Sequence, residues 1–182
     1  MKTAPSDIID FWFSDNMQKS WFSSTPELDN SIRINYKALW EAAASGELDH
    51  WSNNATGSLA LIIILDQFPL NMFRNQAISF STEQKAVSIT CIAIEKKQDL
   101  DLDKDKLAFL FMPLMHSEDI KKQNLSVKLF KRHQLKNNIK FAEHHQAIIK
   151  QFGRFPHRNR ILNRENTQDE ESYLNSEHAF LG

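Results

Sequence analysis

Hydrophobic and polar positions alternate along this chain with the 3.6-residue period of amphipathic helices. Thr25-Pro26 reads as an N-cap with proline at the first helical position. From there Leu28, Ile32, Tyr36, Leu39, Trp40 and Ala43 mark one face, and Gly46 stops the helix. Before it, Ser6 is expected to cap a short helix over "DIIDFWF". After it, Thr56 opens "GSLALIIILDQF", apolar all round and therefore buried, which Pro69 should end. Ser81 with Gln84 reads as a capping box for a helix running to about Lys97. Beyond the polar "QDLDLDKD", a helix covers "KLAFLFMPLM" and Ser117 caps another over roughly 118–134. One more spans about 138–152 with Gly153 just past its end, and Thr167 with Glu170 forms a last capping box before "ESYLNS". The pattern predicts an all-α fold of seven or eight helices, packed as antiparallel hairpins in one domain over residues 1–182.

Composition supports helices over sheets. The 182 residues include four glycines and two valines (Val87 and Val127), against thirteen phenylalanines and four tryptophans. The lone cysteine, Cys91, excludes an internal disulfide, suits a reducing compartment and reads as inert core. "MKTAPSDIID" has no apolar leader, and the longest apolar run, "LALIIIL", is too short to span a bilayer. The expected location is cytoplasmic, with no membrane partner.

The net charge of −1 conceals three blocks. Residues 1–120 balance to −7, residues 121–164 to +11 and residues 165–182 to −5. Such asymmetry marks either an anionic partner or segments that attract each other within one fold. The near-cancellation favours mutual attraction.

The basic block ends in "FGRFPHRNR". Phe155 and Pro156 should anchor a rigid turn after Gly153, aiming Arg154, His157 and Arg158 outward, and arginine's planar fork matches carboxylate or phosphate. Arg158 is expected to be part-exposed, so that Arg158→Lys would change stability little. "LDQFPLNMFR" has the same build, with Asp66 and Arg74 around Phe-Pro. Asp66, in the last turn of the most buried helix, needs a cation, either Arg74 or an arginine of 154–160. His145 falls on the apolar stripe of its helix with Phe141, Ile148 and Phe152, while His144 faces water. His145 is either a hydrogen-bonded core residue or a sheltered general base. In "MPLMHSED", Ser117 as cap with Glu118 and Asp119 in the first turn leaves His116 as a ligand or base. The "HSED", "GRFPHRN" and "LDQF" stretches are expected to meet in space. No zinc, calcium or phosphate-loop spacing occurs, so no metal is expected and no cofactor is named.

"LDQFPLNMFR", "FLFMPLMHSED", "FGRFPHRNRIL" and "TQDEESYL" together resemble the bacterial domain-of-unknown-function family 924, over essentially the whole chain. The resemblance implies an all-helical, tetratricopeptide-like arrangement and no particular reaction. Asp66, Arg74, His116, Glu118, His145, Arg154, His157, Arg158 and Asn159 match the family's polar positions. Leu70 stands where the pattern usually has Arg, taking a cation from the second Phe-Pro stretch, and Asn75 and Asn163 stand where it usually has Gly.

Three functional readings follow. In the first, Arg154, Arg158 and Arg74, with His157 and Asn159, hold a small anionic molecule while His116 or His145 acts as acid/base oriented by Asp66 or Glu118. Hydrolysis or group transfer is the class such a cluster suits. In the second, a tetratricopeptide-like scaffold binds a peptide carboxylate without catalysis. Nucleic-acid binding by "KKQNLSVKLFKRHQLKNNIK" is disfavoured, because Leu125, Leu129 and Phe130 at helical spacing look like core. Oligomeric state is not readable from the chain.

Overall fold

A computed structural model describes residues 3–181, and among them there is no strand. The helices are α1 (Pro5–Trp12), α2 (Asp15–Gln18), α3 (Pro26–Ser45), α4 (Ala55–Ile62), α5 (Phe68–Met72), α6 (Glu83–Glu95), α7 (Lys104–His116), α8 (Ile120–Arg132), α9 (Lys136–Phe152) and α10 (Gln168–Leu174). The all-α class therefore stands. The chain divides into two compact units, Met1–Arg74 with Ile78–Pro113, and Asn75–Ala77 with Leu114–Gly182.

The first unit is built around α4 and its continuation. Leu59 through Leu65 are fully buried, and α1, α3 and α6 pack against this rod. Gly57 permits the approach of Trp51, because a Cβ there would lie 2.0 Å from the Trp51 carbonyl oxygen. The window Ala55–Met72 is long and apolar enough to cross a membrane by composition, but 83% of it is buried, as befits a core helix. An aromatic cluster of Trp12, Phe13, Trp21, Phe68 and Phe109, mostly edge to face, fills the space beside it.

Pro69 does not end this helix, contrary to the sequence pattern. Residues Ile63–Gln67 widen into a π turn, Phe68 N–H donates to the Ile63 carbonyl, and α5 follows with Pro69 in its first turn. A proline at 69 has no N–H for the carbonyl of Leu65. Thr82 fills the gap: its hydroxyl donates to Leu65 O at 2.6 Å and accepts from Trp40 Nε1 at 3.1 Å. The hydroxyl is thereby used tertiarily, so Thr82 precedes α6 without capping it, and the Ser81–Gln84 capping box does not form.

Other ends follow local rules. Thr25 caps α3 by accepting from Leu28 N–H at 3.3 Å, and Gly46 closes it in the left-handed region. Asn54, two residues before the expected start at Thr56, caps α4 through Gly57 N–H. Ala4, ahead of Pro5, rather than Ser6, is the N-cap of α1.

In the second unit, α8 and α9 form an antiparallel hairpin. Lys131 pairs with Glu143 at 2.6 Å near its turn, and Gln146 donates to Asn124 further along, the registry of opposed helices. Asp119, not Ser117, caps α8 by accepting from Lys121 N–H at 2.7 Å. Fully buried Gln123 instead donates to the carbonyls of Met115 and Ser117, completing the end of α7. Ile148, Ile149 and Phe155 form the apolar centre, with Phe152, Tyr173 and Phe180 against it.

Candidate functional site

The second unit gathers seven of the nine sequence-predicted residues. Gly153, at φ 71°, closes α9 in the left-handed conformation, and the chain turns so that Phe155 is fully buried. A short 3₁₀ turn, Pro156–Arg158, follows. The "HSED" and "GRFPHRN" stretches meet here as expected: Phe155 N–H donates to Glu118 Oε1 at 2.8 Å. Asp66 and Arg74 belong to the first unit.

Most of the arginines in this region are clamps. Arg154 grips Glu170 with two bonds of 2.6 and 2.7 Å and reaches the Glu165 carbonyl. Glu170 is 2% exposed and also takes Thr167 N–H, so the predicted capping box doubles as an ion pair. The Arg154 guanidinium, foremost, holds the Glu170 carboxyl down at about 2. Arg164, which the sequence reading did not single out, binds Glu118 bidentately at 2.7 and 2.9 Å. Burial pushes Glu118 up, but Arg164 and the Phe155 amide outweigh it and its carboxyl stays below the usual range. Glu118 is thus drawn out of the α8 first turn, and the turn that Asp119 caps does without it.

Arg158 is a correction. It is 6% exposed, its Nη2 donates to the His116 carbonyl at 2.9 Å, and its guanidinium lies 4.6 Å over the Phe155 ring. Asn159 is buried as well, its amide bonded to Asn166.

Between these clamps stand the histidines. His145, 6% exposed, has Nδ1 2.8 Å from the Phe141 carbonyl. A carbonyl only accepts, so Nδ1 carries the hydrogen and the neutral ring keeps its lone pair on Nε2. His157 follows Pro156, and its Nδ1 is buried without a hydrogen-bond partner among the described residues. Each imidazole touches the same two phenyl rings. His145 lies 5.4 Å from Phe155 and 4.6 Å from Phe180, and His157 lies 5.5 and 4.9 Å from them. Burial, first, and then the charge of His116 bring His145 down to about 3. Burial and then the Arg158 charge bring His157 to about 4. Both rings are neutral at pH 7, and Arg158 and His116 act on both. His116, half-buried, ends α7. Among the described residues no group of three or more His, Cys, Asp or Glu is arranged to hold a metal ion.

Two of the predicted residues lie in the other unit. Asp66 is buried in the π turn and accepts from Gln67 Nε2 at 2.6 Å. Arg74 turns to Asp29, with bonds of 2.8 and 3.3 Å, and Asn71 and Ser24 donate to the same carboxylate. Burial raises the Asp29 carboxyl, but Arg74, Ser24 and Asn71 together hold it below its usual range. Cys91 is half-buried rather than core. A half-open groove of about 240 Å³ beside Asp10, Asp101 and Lys106 also lies in this unit and contains none of the predicted residues.

Asp29, Arg164, Glu170 and Phe180 carry contacts that the sequence reading did not assign. The cancelling charge blocks were a signal for Arg154 with Glu170. Nothing local marks Phe180.

Comparison with known proteins fits this picture. A solved structure titled "Structure of Protein of Unknown Function ATU0120 from Agrobacterium tumefaciens" is similar, with a TM-score of 0.88 and 38% sequence identity over 94% of this chain and 96% of that one. Among curated proteins none matches. The two asparagines that depart from the family's glycines, Asn75 and Asn163, have φ of 62° and 53°, the region that favours glycine and tolerates asparagine. With the family model matching residues 8–178, the chain belongs to the family described as bacterial proteins of unknown function, DUF924.

Proposed function

We propose that the second unit binds a small anionic molecule at the face formed by His145 and His157, with His145 Nε2 as the proton acceptor. The observation that carries this reading is the gathering of two imidazoles and the Arg158 guanidinium around one ring, Phe155. Arg154 and Arg164, engaged with Glu170 and Glu118, position the loop and do not meet the ligand. The family and the fold assign no reaction. A lone pair fixed on Nε2 by the Phe141 carbonyl is the arrangement a general base uses, and it supports hydrolysis or group transfer as the class.

The electrostatics make the proposal testable. Arg158 and His116 disfavour a proton on either ring, so an anion that offsets them raises both pKa values. Binding therefore takes up protons and tightens as the pH falls from about 6.5 toward 4. Histidine NMR with inorganic phosphate and acetate as probes reads this directly. The expected result is movement of the His145 and His157 signals, tightening at lower pH and reduced in His145→Gln. Ring signals unmoved by either probe across that range would overturn the reading. A peptide binding with those rings unmoved would support the scaffold reading instead.

A further inference from the structure

The ring that both histidines touch, besides Phe155, comes from the C-terminal segment. Phe180 is half-buried, while Asn175, Ser176, Glu177 and His178 before it are exposed and Leu181 after it is 72% exposed. Phe180 N–H donates to the Tyr173 hydroxyl at 2.9 Å, and the Tyr173 ring rests 5.0 Å from Phe152. Among the described residues, Ser176 and Ala179 bond only within the segment and to the Tyr173 carbonyl, so the Tyr173 hydroxyl and the Phe180 ring tie down a stretch whose other side chains are mostly in water. The His157 imidazole that this ring meets has its Nδ1 buried without a hydrogen-bond partner among the described residues. Covering a polar atom with a phenyl group withholds its hydrogen bonding from water, a cost relieved when the cover lifts. The phenyl ring meets both imidazoles edge to face, at interplanar angles of 60° and 87°.

We infer that this face takes a flat aromatic ring bearing a negative group, and that Phe180 occupies the ring's place as a displaceable cover. The inference rests on the anion site proposed above and adds the ligand's aromatic part and its regulation. An aromatic acid would put its ring where Phe180 sits, its charge toward Arg158 and a hydrogen-bonding atom toward His157. The C-terminal segment and the ligand then compete, so the free protein is in its covered state.

Tyr173→Phe tests the competition without opening a cavity, because it removes only the oxygen that accepts Phe180 N–H. Phenylacetate is the probe, with acetate alongside, and His145 and His157 NMR signals are the readout. Phenylacetate should bind Tyr173→Phe about fivefold more tightly than wild type, the worth of one net hydrogen bond. Acetate, too small to displace the ring, should bind both equally. In wild-type protein, saturating phenylacetate should also speed hydrogen exchange at the Phe180 amide, a measurement that needs no variant. Equal phenylacetate affinity in the two proteins, or a Phe180 amide still protected at saturation, would overturn the cover. Acetate binding without preference for phenylacetate removes the aromatic part alone and leaves the anion site standing. If neither probe moves the two histidines, both proposals fall.

Discussion

At Pro69 the chain stays helical, whereas at Pro156 it has already left a helix, although Phe-Pro flanked by polar residues occurs at both. Before Pro69 the helix widens by one π turn and Thr82 takes over the carbonyl that proline cannot serve. Before Pro156, Gly153 has turned the backbone left-handed, and the Phe155 amide is satisfied by Glu118. The arginines differ in the same way. Arg74 is half exposed and pairs with Asp29, while Arg154 pairs with a Glu170 that water barely reaches. A short motif therefore fixes which residues must find partners. Neighbours distant in sequence decide which partners they find.

Breaking the anchors should give the largest effect. Phe155→Ala removes a fully buried ring from the centre of the second unit and should cost about 3–5 kcal/mol, read by denaturant unfolding. A cost under about 1 kcal/mol would mean that the turn does not depend on that ring. Next comes Glu170→Gln, which strands Arg154 and weakens the α10 cap together. Thermal unfolding should show a loss of roughly 5–10 °C.

Thr82→Val keeps the shape and deletes the hydroxyl that serves Leu65 and Trp40. It should cost about 1–3 kcal/mol, because a buried carbonyl and an indole N–H lose their partner. A neutral result would show that the π turn satisfies Leu65 some other way. The smallest change is expected for Arg74→Ala, at about 0–1 kcal/mol, since its side chain is half exposed to screening water. If Arg74→Ala cost as much as Glu170→Gln, the contrast between the two stretches would disappear.

Elements set by local chemistry were legible in the sequence. Thr25-Pro26, Gly46, Gly153 and the Thr167–Glu170 box all act within a few residues of themselves, so pattern reading places them. Pro69 misled because a remote threonine offsets its missing donor. Ser117 misled because Asp119, two residues on, offers a closer cap once Glu118 is drawn away to Arg164. His145 on an apolar stripe was legible as sheltered, and its neutrality follows from burial. The second ring on His145 was not legible, because a lone phenylalanine in a polar tail carries no periodicity to place it.

The central claim is that His145 and His157 are neutral, sheltered imidazoles while the arginines around them are mostly structural. Both fold with pKa values below the ordinary 6.5, at about 3 and about 4. Between those values and 6.5 the unfolded chain binds more protons than the folded one, so stability rises with pH. Their contribution is complete above pH 6.5 and is lost as the pH falls toward 4 and then 3. The most direct measurement is an NMR titration of the two imidazoles in the folded protein. The account predicts both rings neutral at pH 5.5, with His145 carrying its hydrogen on Nδ1. Protonation of either ring with a midpoint near 6.5 would contradict it.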